Sequence, residues 1–137
     1  MQIIELAVED IQPYENNPRN NDAAVRAVAA SIREFGFKVP IVIDENYIIV
    51  AGHTRHRAAQ LLQLDTVPCI MADDLTEEQV QAFRLADNKT AELATWDDEK
   101  LAIELAQLKD FDMTAFGFDE LSDTNDVEEM NDNPDEM

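Results

Sequence analysis

The sequence is poor in cysteine, in positive charge and in long apolar runs. A single cysteine, Cys69, excludes an internal disulfide and indicates a reducing compartment. No apolar run approaches the ~20 residues of a membrane-spanning helix, and the N-terminus lacks a signal-peptide pattern. Lys and Arg number 10 against 30 Asp and Glu, a net charge of −20, which argues against free-standing, non-specific binding to DNA phosphates. We therefore expect a soluble cytoplasmic protein that uses no membrane.

The charge that is present is distributed unevenly. Residues 119–137 contain nine acids and no Lys or Arg, with few apolar residues, so we predict a disordered acidic tail at 122–137. Six of the ten cations lie between Arg19 and Arg57, which predicts a locally basic face on the folded part. The 137 residues and a hydrophobic fraction of 45% suit one domain with a true core.

Hydrophobic periodicity predicts an α/β or α+β fold, in which helices pack on a small mixed β-sheet. A loop rich in proline and asparagine at 12–20 separates the first strand from the first helix. The motif Thr76-Glu77-Glu78-Gln79 resembles a capping box and predicts the start of a later helix. The predicted elements are a strand at 2–6, a helix to Phe35 capped by Asp22, strands at 40–43 and 47–51, a helix at 54–64, a strand at 67–71, helices to about 92 and at 97–108, and a phenylalanine-rich segment at 111–121 that packs back on the domain.

The stretch from Ile48 to Ala59 carries the sharpest chemical signal. An apolar strand runs through Gly52 directly into a helix, whose first N–H groups lack internal partners and carry partial positive charge. Gly52 allows a ligand to approach the backbone, Thr54 can donate a hydroxyl, and Arg55 presents donors that suit phosphate oxygens. The stretch matches neither the P-loop nor the G-x-G-x-x-G pattern. It predicts a phosphate site, with an ordinary strand-to-helix turn carrying exposed basic residues as the alternative.

Two shorter stretches offer supporting chemistry. Pro18 restrains the backbone beside Arg19 and so holds this arginine on a stiff loop. Asp87 and Asn88 offer oxygens that could hold Mg²⁺ beside phosphates, and Lys89 could neutralise a phosphate. Taken singly, the first stretch also suits an ordinary turn and the second a solvated helix face.

Together and in this order, these stretches resemble the ParB N-terminal domain family, which has the ParB/sulfiredoxin fold. IVAGHTRHRAA resembles the family's strand–G-E-R-R-x-R-A–helix box, QPYENNPR its proline–arginine box, and LADNKTAE lies where the family has E-N-x-Q-R. The resemblance covers residues 1–95, and 96–121 follow as a helical extension packed on that domain. The stretch ADNKTAELATWDDEKLAIELAQLKDFD further resembles a phage and prophage subgroup associated with DNA methyltransferases.

The resemblance implies a module that binds a nucleoside triphosphate, CTP or ATP, together with Mg²⁺. It would act in phage or mobile-element DNA metabolism, in DNA modification, segregation or transcription control. Asp87 and Asn88 would fall at the Mg²⁺ position, whereas His53 replaces the family's glutamate and so removes a carboxylate linked to metal or hydrolysis. The nucleotide and phosphate-binding residues carried over by position are Arg19, Gly52, His53, Thr54, Arg55, Arg57, Asn88 and Lys89.

The resemblance also implies partners and leaves other functions open. Besides the nucleotide, the expected partners are DNA at the basic face, a DNA methyltransferase or other phage protein, and a second copy of the chain, in a bacterial or phage-infected cytoplasm. One alternative is a nuclease, kinase or nucleotidase on the same fold, with Glu15, Asp22 or Asp87 as the catalytic carboxylate. The other is an acidic protein-interaction protein or DNA mimic, which the net charge of −20 suggests.

Overall fold

A computed structural model describes residues 2–17 and 22–118 of the chain. It confirms a mixed α+β architecture with one small sheet. Arg19 and the predicted acidic tail at 122–137 lie outside the described residues. The elements are β1 (Ile3–Ala7), α1 (Asp22–Phe35), β2 (Ile41–Ile43), β3 (Ile49–Ala51), α2 (His53–Leu61), β4 (Thr66–Met71), α3 (Glu77–Leu93) and α4 (Asp98–Ala106), with short 3-10 turns at Val8–Asp10 and Met113–Phe116.

The four strands form a mixed sheet in the order β1-β4-β2-β3. β1 lies antiparallel to β4, with Ile3 opposite Ile70, and β4 lies parallel to β2, with Val42 opposite Ile70. β2 and β3 form an antiparallel hairpin. The parallel pair β2–β4 requires a long crossover, and α2 supplies it by carrying the chain back across the sheet.

The hairpin between β2 and β3 is closed by Asp44. Its Oδ1 accepts the backbone N–H groups of Asn46 at 2.8 Å and Ile48 at 3.0 Å. The strand predicted from residue 47 begins only at Ile49, because Tyr47 has a φ of +64° and leaves the extended conformation.

The core lies where the sheet meets α2. Cys69 is fully buried, as its apolar strand predicts, and burial raises the pKa of its thiol to about 11, so it is an unreactive packing residue. α1 packs on the outer side of α2 through Val25, Ala29 and Ala58. The largest fully buried side chains of the sheet and of α2 are Ile41, Ile43, Ile49, His56, Val67 and Cys69.

α3 and α4 begin at side-chain caps, and the segment beyond α4 contacts α1. The predicted capping box is present: the Thr76 hydroxyl accepts the N–H of Gln79, and Gln79 Oε1 accepts the N–H of Thr76. Beyond α4, the rings of Phe111 and Phe116 lie 5.8 and 5.4 Å from the ring of Phe35 on α1. These contacts pack the segment at 111–116 against α1. None of the helices in the described ranges is both long and apolar enough to cross a membrane.

Candidate functional site

Gly52 makes the junction between β3 and α2. Its φ of +109° lies in a region that residues with a Cβ rarely adopt. A Cβ at this position would lie 3.2 Å from Arg55 Nη2 and 3.3 Å from Ile41 Cγ1. Glycine is therefore required both by the backbone turn and by the close approach of β2, and as the N-cap residue it offers α2 no side-chain cap.

The start of α2 faces the second half of α3 across a cavity of about 220 Å³. A further cavity of about 170 Å³ shares four lining residues with it, namely Asn17, Val50, His53 and Asn88. The structure thus brings two of the stretches singled out in the sequence, Gly52–Arg57 and Asp87–Asn88, to one place. The predicted site residues that line the larger of these two cavities are Gly52, His53, Thr54, Arg55, Arg57, Asp87 and Asn88.

Arg55 is the cation most deeply placed in this cavity. Its Nη2 donates to the carbonyl of Pro40 at 3.2 Å, whereas its Nε is buried and makes no hydrogen bond with any part of the chain that the structure describes. Burial lowers the pKa of Arg55 and the neighbouring Asp87 carboxylate raises it, but arginine stays charged in proteins. A buried donor without an acceptor is costly, and the oxygen of a bound anion would satisfy it.

Three predicted residues lie apart from the cavity lining, and a fourth is not described. Asp22, a catalytic candidate, forms an ion pair with Arg57 across the α1–α2 contact, where both side chains are exposed. Lys89 pairs instead with Glu92 on the exposed side of α3, at 3.6 Å. Glu15 lies in an exposed turn, and Arg19 falls in the undescribed segment. Of the three candidate carboxylates, Asp87 is the one that lines the cavity.

His53 is a neutral hydrogen-bond acceptor at the first position of α2. Its Nε2 accepts the backbone N–H of Tyr14 at 3.1 Å, so the proton of the ring is on Nδ1. Burial, followed by the positive charge of Arg84 and by His56, lowers the pKa of His53 from 6.5 to about 4. At neutral pH the position that holds glutamate in the resembled family therefore carries no charge here.

We expect the free energy of unfolding to decrease as the pH falls from 6.5 to about 4, the interval between the ordinary pKa of histidine and that of His53. In this interval the His53 ring is protonated in the unfolded chain and neutral in the folded chain, so lowering the pH favours unfolding. His53→Gln keeps an acceptor without the titration and should lose less stability. Urea unfolding of both proteins at neutral and mildly acidic pH measures the difference, and equal losses would contradict the assignment.

Arg84 belongs to this site although the sequence analysis did not single it out. It is 9% exposed, and its Nε donates to the carbonyl of Ile49 at 3.0 Å. Its guanidinium carbon lies 3.8 Å from the centroid of the Tyr14 ring. The sequence feature that could have identified Arg84 is its position four residues after Val80, because this spacing places both side chains on the buried face of α3.

The donors at the cavity fit Mg²⁺ only in the company of a phosphate. Among residues 2–17 and 22–118, no three His, Cys, Asp or Glu side chains are grouped so that they could hold a metal ion. Asp87 offers one carboxylate and Asn88 one amide oxygen. Mg²⁺ accepts so few protein oxygens when phosphate and water complete its octahedral shell. This donor set would therefore bind Mg²⁺ together with a phosphate ligand.

Comparison with known proteins connects this geometry to a family. The model of the ParB N-terminal domain matches residues 1–89. The chain is 38% identical over 82 residues to the ParB-like nuclease domain-containing protein YnaK of Escherichia coli K12, covering 59% of this chain and 94% of that protein. It is 32% identical over 115 residues to stage 0 sporulation protein J of Bacillus subtilis, covering 80% of this chain and 40% of that protein. It spans 34% of the probable chromosome-partitioning protein ParB of Rickettsia typhi, with 29% identity over 97 residues.

Solved structures with similar folds agree. C-terminally truncated ParB from Caulobacter crescentus, complexed with CTP-γ-S, has a TM-score of 0.63 and 28% identity, covering 77% of this chain and 62% of that one. Sulfiredoxin from Arabidopsis thaliana has a TM-score of 0.51 and 29% identity, covering 61% of this chain and 97% of that one. The same Caulobacter protein complexed to the centromeric parS site has a TM-score of 0.51 and 27% identity, covering 62% and 46%. The chain belongs to the ParB N-terminal domain family.

Proposed function

We propose that this chain binds a nucleoside triphosphate, with CTP as the first candidate, together with Mg²⁺. One observation carries the proposal: the buried Nε of Arg55, which has no hydrogen-bond partner among the described residues, lies at a cavity that the start of α2 also lines. Both features supply hydrogen-bond donors and positive charge to the same small volume. The CTP-γ-S bound to the Caulobacter relative supports the choice of ligand class.

The residues around Arg55 define how the phosphates would be held. Gly52 leaves the backbone open to a phosphate oxygen, and Thr54 adds a hydroxyl donor. Arg57 lines the same cavity while its charge is shared with Asp22. Asp87 and Asn88 would hold Mg²⁺ against the phosphates, which offsets the negative charge that Asp87 brings to an anion site.

Isothermal titration calorimetry tests this function directly. The full chain would be titrated with CTP, ATP and GTP, each with Mg²⁺ and with excess EDTA. We expect saturable binding of one nucleotide per chain, strongest for CTP. Binding should be weaker in EDTA, because Mg²⁺ held by Asp87 and Asn88 would offset the negative charge of the phosphates and of Asp87. The absence of saturable heat with all three nucleotides would refute the proposal.

The cellular role is a further part of the proposal. We infer an action in phage or mobile-element DNA metabolism, with DNA, a methyltransferase or other phage protein, and a second copy of this chain as partners. The parS complex of the Caulobacter relative supports DNA as a partner class. Because the chain has a net charge of −20, a DNA contact would have to use the local basic face and would weaken steeply with salt.

An enzyme on the same fold is the second candidate, and the placement of Asp87 favours it. This carboxylate lines the phosphate cavity, whereas Asp22 is paired with Arg57 and Glu15 does not line the cavity. In a nucleotidase or kinase, Asp87 would act as the general base in place of holding Mg²⁺. Nucleotide turnover that disappears in Asp87→Asn, while binding persists, would establish that activity.

A further inference from the structure

We propose that Arg84 is a positioning residue that holds the loop of residues 12–17 against the nucleotide cavity through the ring of Tyr14. The inference rests on the proposed function for its effect on ligand affinity. Its structural part concerns the protein without ligand, and can be tested independently.

Two contacts outside the loop hold the Arg84 guanidinium in place. Its Nε donates to the carbonyl of Ile49 on β3, and its Nη2 lies 3.6 Å from Asp44 Oδ2. Asp44 is itself fixed, because its other oxygen accepts two backbone N–H groups of the hairpin. A buried guanidinium tied to two fixed acceptors has little freedom, and its planar face becomes a fixed platform.

The Tyr14 ring packs on the planar face of this guanidinium, and the Tyr14 backbone connects it to the rest of the site. Its ring stacks on the guanidinium at 3.8 Å, and its backbone N–H donates to His53 Nε2. Its carbonyl accepts the N–H of Asn17 at 3.1 Å, and Asn17 lines both small cavities. The chain of contacts therefore runs from Arg84 through Tyr14 to the loop side of the nucleotide cavity.

Backbone hydrogen bonds to the β2–β3 hairpin fasten this loop at Gln12. Gln12 exchanges hydrogen bonds with Tyr47 and Ile49, both at 2.9 Å. Tyr14 lies two residues further on, and its partners there are the side chains of Arg84 and His53. Removing the stacked ring should therefore release Tyr14 from Arg84 and His53 while the pairing at Gln12 and the fold persist.

A pair of Tyr14 variants tests the inference. Tyr14→Phe keeps the ring on Arg84 and loses only the hydroxyl, whereas Tyr14→Leu keeps an apolar side chain and loses the ring. The readout is the NMR scalar coupling across the Tyr14 N–H···Nε2 His53 hydrogen bond in isotope-labelled protein without nucleotide. We expect the coupling in wild type and Tyr14→Phe and its loss in Tyr14→Leu and Arg84→Met, with unchanged signals from the buried His56 ring as evidence of intact folding.

Nucleotide affinity is the second readout. Because a desolvated cation–π contact is a strong non-covalent interaction, we expect the Kd of Tyr14→Leu to be roughly tenfold higher than that of Tyr14→Phe. Arg84→Met also removes the ion pair with Asp44. If that variant fails to fold, the comparison of Tyr14→Leu with Tyr14→Phe tests the inference by itself. A coupling retained in Tyr14→Leu would overturn the inference, whatever the wild type binds. A wild type that shows the coupling and binds no nucleotide would refute the proposed function alone.

Discussion

Arg55→Ala should weaken nucleotide binding by roughly 100-fold or more. The substitution removes a guanidinium whose Nε has no acceptor within the described protein and which lies at the cavity with Thr54 and Asp87. Two charge-assisted hydrogen bonds to phosphate oxygens, at ~1.5–3 kcal/mol each, account for a loss of that size. Calorimetric titration with CTP and Mg²⁺ measures it.

The same substitution should leave the free energy of unfolding nearly unchanged. Alanine removes the hydrogen bond to Pro40, which destabilises, but it also removes the buried Nε without a partner, which stabilises. Arg26→Ala, on the exposed side of α1, is the matched control for loss of one positive charge and should bind nucleotide as the wild type does. Equal weakening by both substitutions would show that only net charge matters, and would remove Arg55 from the site.

Gly52→Ala should cost about 2–3 kcal/mol of unfolding free energy and also impair binding. Alanine at a φ of +109° is strained by ~1–3 kcal/mol, and its Cβ would lie 3.3 Å from Ile41 Cγ1 in a packed strand. The methyl group would also lie 3.2 Å from Arg55 Nη2, so relief of the contact moves the guanidinium. Urea unfolding and calorimetry of the same preparation measure the two effects.

Gly36→Ala provides the control for backbone strain without the packing conflict. Gly36 also has a positive φ, +88°, but a Cβ there would meet the flexible end of Lys38 at 3.2 Å. We expect it to lose stability through strain and to bind nucleotide as the wild type does, once folded. If Gly36→Ala impaired binding as strongly as Gly52→Ala, the loss would reflect general destabilisation and not displacement of Arg55.

The parts of the fold that the sequence predicted depend on neighbouring residues. The capping box at Thr76 and the end of α1 before Gly36 are determined within a few residues, and both are present. The sheet order β1-β4-β2-β3 could not be predicted in this way, because it depends on pairs of residues that are far apart in the sequence, such as Ile3 and Ile70. α2 ends at Leu61, earlier than predicted, because Gln63 turns the backbone with a φ of +59°.

In the candidate site, too, features set by neighbouring residues were predicted and contacts between distant residues were not. Gly52, Thr54 and Arg55 lie in one continuous turn, so their shared cavity follows from local sequence. Arg84 and Tyr14 are 70 positions apart, and nothing in either segment alone indicates that they stack. The contact between Trp96 and Phe118, in which Trp96 stays 67% exposed, likewise joins segments that no local pattern links.

The pairing of β1 with β4 has a consequence for how the chain folds during synthesis. Ile3 leaves the ribosome before its partner Ile70, which lies 67 positions later, beyond α1, the hairpin and α2. Closing so long a loop costs entropy before any contact compensates it, and such non-local pairings slow folding. β2 likewise gains its inner neighbour only when β4 arrives. The sheet is therefore assembled in one late step, and a nascent chain released before residue 71 would present β1 as an unpaired strand open to aggregation.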